Sequence, residues 1–234
     1  MKVGILITGR PPVALERQFS GYGLMCATLI EESDNGHNAT FNNYALLEGQ
    51  VPEDPNECDA WLITGSKHGV YEDHSWIKPL TEFVLRAIDK RKKVIGICFG
   101  HQLIAQALGG EVQPFVRGPA IGVSTYQSSL DNPKAPAPLS LYAWHYDQII
   151  SPPSSAEIIL QSDFCSYAGL RYEDRAISFQ PHPEFSRAYM AALIKHYSGS
   201  MLSQETIRQA ENSLVTPVSP QHITRHIRQF LNEG

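Results

Sequence analysis

Val94-Ile95-Gly96-Ile97-Cys98-Phe99-Gly100-His101-Gln102-Leu103-Ile104-Ala105-Gln106-Ala107-Leu108-Gly109-Gly110 decides how this chain is read. Its first four residues, apolar or small, read as a buried strand. Leu103, Ile104, Ala107 and Leu108 recur at helical spacing, and Gly109-Gly110 supply a stop. Cys98 therefore falls on a sharp strand-to-helix turn, with Gly96 and Gly100 two residues either side. A tight elbow needs small flanking residues, because its backbone is crowded or enters positive φ. The same logic builds the Gly-x-Ser-x-Gly nucleophile elbow, here with cysteine in place of serine. Such a turn lifts the sulfur clear of the sheet and sets it at a helix N-terminus. There the dipole favours thiolate, and free N–H groups can receive an oxyanion.

A cysteine nucleophile needs a base. Among nine histidines, the most suggestive lies in Ala176-Ile177-Ser178-Phe179-Gln180-Pro181-His182-Pro183-Glu184-Phe185. Ala176 to Gln180 read as a strand. In extended chain, residues two apart point to the same side, so a carboxylate at 184 can hold one nitrogen of the 182 imidazole while the other faces a thiol. Pro181 and Pro183 fix φ around His182 and keep the segment extended. Neither can donate a main-chain hydrogen bond, which places the segment at a strand end.

A third segment, Leu62-Ile63-Thr64-Gly65-Ser66 followed by Val70-Tyr71-Glu72-Asp73 and Trp76, completes a pattern. Gly-Ile-Cys-Phe-Gly-His-Gln with a distant His-Pro-Glu resembles the class I, triad-type glutamine amidotransferases. The stand-alone proteins similar to the amidotransferase domain of GMP synthase look nearest. The resemblance covers about residues 1 to 198. It implies Cys98 as nucleophile, His182 as general base and Glu184 as its orienter. It implies the Gly65 and Phe99 N–H groups as the oxyanion hole. Gln102, together with Trp144, His145 and Tyr146 of the Trp144-His145-Tyr146-Asp147 segment, would hold the substrate. In one departure, many relatives carry an acidic residue where Ala120 stands, so substrate detail does not transfer from that loop.

Composition agrees with a soluble globular protein. The chain has 234 residues, 42% hydrophobic and 18% charged, with a net charge of −5. That charge gives no electrostatic basis for a nucleic-acid partner. No apolar run reaches transmembrane length. Met1 to Gly9 read as a first core strand rather than a leader. Four scattered cysteines do not suggest a disulfide framework, and a reducing cytoplasm is the expected setting.

Strand-like and helix-like segments alternate. Lys2–Ile7, Thr40–Leu47, Ala60–Ile63 and the Val94 segment read as strands. Tyr22–Glu32, ended by Ser33-Asp34-Asn35-Gly36, and Ile77–Lys92 read as helices. This implies an α/β fold: a doubly wound, largely parallel central sheet with helices on both faces, flavodoxin-like. Ligands in such sheets bind beyond the carboxyl ends of the strands, where Gly65, Cys98 and His182 would meet. From Glu111 to Ser178 the runs shorten, with Ile121–Tyr126, Leu139–Trp144, Ala156–Leu160 and Cys165–Arg171 as strands of a small antiparallel portion. Residues 129 to 138 read as a proline-rich surface loop. Ser186–Tyr197 reads as a helix. The domain is expected over 1–198, with 199–234 a helical extension packed on it, its helices near 203–214 and 219–232.

Other residues are assigned plainer roles. Cys26, Cys58 and Cys165 read as buried small hydrophobes. His101, in the first turn of the elbow helix, reads as a packing or hydrogen-bonding residue. His68 and His74 sit in a polar loop and read as solvated, and His222, Arg225, His226 and Arg228 as a solvated helix face. No Cys/His spacing suggests a metal, and no cofactor is expected. Gly65-Ser66-Lys67 lacks the upstream glycine of a phosphate loop.

The resemblance implies hydrolysis of the γ-amide of glutamine through a γ-glutamyl thioester on Cys98, giving glutamate and ammonia. An independent γ-glutamyl hydrolase or peptidase acting on another γ-glutamyl amide is the alternative, and a catalytically silent binding protein a remote one. The protein partners left open are a second copy of the chain and a separate synthetase.

Overall fold

Alternation along the central strands puts one apolar set on each side of a sheet. Strand β1 (Lys2–Ile7) sends Val3 and Ile5 into one core and Leu6 into the other. β3 (Ala60–Ile63) splits Leu62 from Trp61 and Ile63, and β4 (Lys93–Ile97) splits Ile95 and Ile97 from Val94. β11 (Ala176–Phe179) follows suit, with Ile177 and Phe179 on the first side and Ala176 on the second. Gly4 faces Trp61: a Cβ there would lie 2.2 Å from its ring, so the missing side chain is what admits the indole.

The computed structural model describes residues 1–33, 39–131 and 137–233. β2 (Thr40–Ala45), β1, β3, β4 and β11 run parallel in that spatial order. The same sheet then continues antiparallel through β10 (Gly169–Tyr172), β9 (Ala156–Gln161), β6 (Ala120–Ser128) and β7 (Ala137–His145). β5 (Glu111–Pro114) and β8 (Asp147–Ser151) pair separately. Helices α1 (Tyr22–Ser33) and α6 (Gln221–Asn232) cover the first face, and α2 (Ile77–Asp89) and α3 (Phe99–Ala107) the second. α4 (Arg187–Tyr197) and α5 (Gln204–Ser213) form a third core with Tyr142 at the antiparallel end. No helix among the described residues is long and apolar enough to cross a membrane.

The α/β class and its parallel sheet agree with the sequence reading. Two local expectations need correction. Cys165–Arg171 is not one strand: only Gly169 onward pairs, and residues 165–168 form the turn before it. The antiparallel portion itself is continuous with the main sheet. His226 does not belong to a solvated face. His222 and Arg225 do reach outward to Asp131, but His226 is buried beside Phe179. The helix period explains this, since 223, 226, 227 and 230 share the stripe that faces the sheet. Residues 34–36 of the turn expected after α1, and 132–136 of the proline-rich loop, lie outside the described residues.

Residues beyond 198 are integral to the packing. Ile223, Ile227 and Phe230 are fully buried in the same core as β1, β4 and β11. Lys93 Nζ lies 4.9 Å from the centre of the Phe230 ring. Arg171 pairs with Glu233 just past the end of α6.

Burial holds three histidines neutral. It pushes His101 and His145 down to about 3 and, with help from the Arg171 charge, His226 down to about 4. An unfolded histidine titrates near 6.5. Between pH ~6.5 and ~4 the unfolded chain therefore takes up protons that the folded chain refuses, so stability falls as pH falls. Neither ring nitrogen of His226 has a hydrogen-bond partner among the described residues. In urea melts across this window, His226→Leu is expected to reduce the pH slope by about one proton, or ~1.4 kcal/mol per pH unit. An unchanged slope would show that His226 does not contribute.

Candidate active site

The elbow is built by close approach. A Cβ on Gly96 would lie 2.5 Å from the Gly100 carbonyl oxygen, and one on Gly100 would lie 2.5 Å from the Ile63 carbonyl oxygen. Both glycines therefore let α3 sit directly on β3 and β4, and crowding rather than positive φ is the reason for them. The unusual backbone belongs to Cys98 itself, at φ 51° and ψ −100°. A non-glycine residue held there is strained, and such strain concentrates at functional positions. The Cys98 N–H donates to the Phe179 carbonyl at 2.8 Å, tying the turn to the neighbouring strand. Its sulfur lies 3.8 Å from the Trp144 carbonyl oxygen. Phe99 opens α3, where the first N–H groups have no intrahelical acceptor.

His182 follows β11, which pairs with β4, so the two chain ends lie side by side. The His182 N–H donates to the Tyr142 carbonyl at 2.8 Å. Its Nδ1 lies 2.7 Å from Glu184 Oε1, and both side chains are buried. The imidazole stacks on Phe185, with centroids 4.1 Å apart and planes 9° from parallel. Nε2, the other nitrogen, is buried and within the electrostatic reach of Cys98, with no geometrically formed hydrogen bond among the described residues. Burial alone would lower the basicity of this ring. Glu184 on Nδ1 and Cys98 beside the ring outweigh it and raise the His182 pKa well above the usual histidine range.

Gly65 lies against both groups: a Cβ on it would stand 3.1 Å from His182 Cε1 and 3.6 Å from Cys98 Cβ. Its peptide is braced by residues the sequence reading did not single out. The Thr8 hydroxyl lies 2.9 Å from the Thr64 carbonyl oxygen and 3.2 Å from that of Gly65, and the Thr8 N–H donates to Thr64 Oγ1 at 3.0 Å. A Cβ on Gly9 would lie 2.5 Å from the Gly65 oxygen. The pairing of β1 with β3 is the signal that could have found this contact, because it sets their C-terminal extensions together.

Two cavities meet at Cys98. One of about 210 Å³ is lined by Gln102, Trp144, His145, Tyr146 and Asp147. The other, about 870 Å³, runs past the loop at 8–14 and Trp76 to α4. The expected substrate-holding residues are thus together, with one qualification. Gln102 Nε2 donates to the Asp147 carbonyl and to Gln180 Oε1, both at 3.0 Å, so its amide protons brace the wall. His145 is buried, its Nδ1 3.1 Å from the Asp147 carbonyl oxygen. Asp147 accepts from the Tyr71 hydroxyl, and burial raises its pKa. His101 is fully internal, 2.7 Å from Ser178 Oγ and 2.8 Å from the Tyr167 carbonyl oxygen.

The loop at 68–74 differs from its sequence reading. His68 and His74 are half-buried rather than fully solvated, and both line the larger cavity. Both approach Glu72 Oε2, His68 Nδ1 at 3.0 Å and His74 Nε2 at 2.7 Å. The loop folds back on itself, which linear spacing does not reveal.

Residues 40–195 match the family model described as glutamine amidotransferase class-I, and the chain belongs to that family. It is 25% identical to γ-glutamyl peptidase 3 of Arabidopsis thaliana over 221 residues, 89% of this chain and 87% of that protein. It is 30% identical to a glutamine-hydrolyzing GMP synthase component of Methanococcus maripaludis over 115 residues, 47% of this chain and 61% of that one. A glutamine amidotransferase structure from Methylobacillus flagellatus superposes with a TM-score of 0.76 at 22% identity, covering 98% of this chain and 93% of that one. At that identity the structure supports the fold.

All four cysteines are free and buried, but Cys98 alone among them lines a cavity described above. Burial raises the thiol pKa of Cys26, Cys165 and Cys58. Iodoacetamide is therefore expected to alkylate Cys98 first, read by peptide mass spectrometry. Gly65→Ala should slow that reaction several-fold by pressing a methyl group on the imidazole. Faster labelling of any other cysteine would contradict this reading of the site.

Proposed function

We propose that this chain hydrolyses a γ-glutamyl amide whose leaving amine is larger than ammonia, through a thioester on Cys98. The observation that carries this reading is the placement of the sulfur between a small cavity and one about four times larger. The smaller suits the γ-glutamyl unit. The larger far exceeds the needs of departing ammonia and suits the remainder of a γ-glutamyl peptide. Similarity to γ-glutamyl peptidase 3 over most of both chains supports the same assignment.

The chemistry follows from the geometry. Cys98 and His182 act as a thiolate–imidazolium pair, favoured by the raised basicity of His182 and by the start of α3. Sulfur attacks the side-chain carbonyl carbon. The oxyanion is received by the Gly65 and Phe99 N–H groups, which are fixed before charge develops and so need no reorganisation. His182 Nε2 gives its proton to the departing nitrogen, the C–N bond breaks and a γ-glutamyl thioester remains. Water then loses a proton to Nε2 and attacks the same carbon. The C–S bond breaks, glutamate leaves and the pair is restored. Glu184 holds Nδ1 throughout, keeping Nε2 aimed at the sulfur.

A second reading has glutamine as substrate and ammonia passed to a separate synthetase; the family match favours it. Glutamate release by the purified chain, from glutamine and from γ-glutamyl di- and tripeptides, separates the two. Peptides are expected to turn over unaided at ordinary enzyme rates, about 1 to 1,000 per second, and faster than glutamine. Cys98→Ala should remove activity. His182→Ala should lower it by about 10²–10⁴-fold, and Glu184→Gln by less. Trace turnover of every peptide, with activity on glutamine restored by a synthetase, would establish the second reading.

A further inference from the structure

The loop between β3 and α2 holds a side-chain cluster that the proposed hydrolysis does not use. His68, Glu72 and His74 each bring one ligand atom within 4.8 Å of the other two. Two imidazole nitrogens converge on one carboxylate oxygen, at 3.0 and 2.7 Å. Zinc bonds of 2.0–2.1 Å at tetrahedral angles separate neighbouring ligand atoms by about 3.3 Å, close to the 3.0 and 2.7 Å that separate each nitrogen from the carboxylate oxygen.

The three groups are held in place. Glu72 Oε1 accepts from the Gly69 N–H at 2.9 Å, leaving Oε2 directed at the histidines. The His74 ring stacks on Trp76, with planes 13° apart, and Trp76 in turn packs on Phe99 beside the elbow. The His68 N–H lies 3.3 Å from Ser66 Oγ. Backbone bonds from Glu72 to Gly69 and from His74 to Glu72 close the loop into successive turns. His68 lines both cavities and His74 the larger, so the cluster stands in the wall shared with Cys98 and is open to small ions.

We propose that His68, Glu72 and His74 form a binding site for a divalent transition ion of the zinc class, at the mouth of the cavity that holds Cys98. Two imidazoles and one carboxylate suit borderline ions such as zinc, cobalt or nickel better than magnesium or calcium. Three protein ligands leave a coordination position for water or another small donor. The assignment does not depend on the substrate, and its test reads binding rather than turnover, so it can fail while the hydrolase reading stands.

The competing site is the catalytic pair itself, since a thiolate and an imidazole also bind zinc. The experiment is titration of the purified chain with zinc against a chromophoric chelator, alongside visible spectra of the cobalt-loaded protein. One zinc per chain is expected, with cobalt d–d bands and no thiolate charge-transfer band. His68→Ala, Glu72→Gln and His74→Ala should each weaken zinc by at least about tenfold, whereas Cys98→Ser should leave affinity unchanged. Near-ultraviolet circular dichroism checks the folding of each variant, and the wild-type cobalt spectrum reports the ligand type without any variant. Absence of stoichiometric zinc binding, a thiolate band, or loss of binding in Cys98→Ser with retention in the loop variants would each overturn the proposal.

Discussion

The close contact of α3 with β3 and β4, made possible by two absent side chains, is the constraint on which this molecule turns. At Gly96 and Gly100 the backbones come nearer than any Cβ would allow. Because the helix begins so near the sheet, the one residue between strand and helix must reverse direction abruptly, and Cys98 takes up a positive φ. Packing around it maintains that strain. The buried alternation of β3, β4 and β11 fixes the strand, and Phe99, Leu103 and Ile104 fix the helix. The sulfur has a single place to go, which is out beyond the carboxyl end of the sheet.

The partners of Cys98 reach it through strand pairing. β11 lies beside β4, so His182 arrives at the same edge, and β3 on the other side brings Gly65. Each arrival is reinforced by a contact that fixes orientation as well as position: Phe185 beneath the imidazole, Glu184 on Nδ1, Thr8 on the Gly65 peptide. The result is a polar cluster enclosed among apolar residues. There an uncompensated charge is costly and a compensated pair is strongly favoured.

Much of this was legible because local pattern and global role coincide. The glycines at 96 and 100, the helical spacing after Cys98 and the two-residue step from His182 to Glu184 are short-range signals, and each describes what the structure contains. Long-range or folded-back contacts were not legible. Thr8 braces Gly65 across 57 residues, and nothing local to Thr8 announces it. His226 read as exposed because its neighbours are charged, yet the helix period puts it inward. The loop at 68–74 read as polar and therefore wet, whereas its turns gather its side chains against Trp76. Gln102 sits where it was expected, but its amide protons are spent within the wall, a distinction only hydrogen-bond partners reveal.

The order of strands carries a consequence for the chain as it is made. β11 enters the sheet between β4 and β10, and the segment bearing the imidazole follows it, 84 residues beyond the sulfur. A chain grown only through β10 has its thiol-bearing strand but neither His182 nor the carbonyl of Phe179 that anchors the turn. On the mechanism proposed above, reactivity is thus withheld from the nascent polypeptide until β11 closes the sheet's last gap. The timing of such chemistry is then set by the order of the strands.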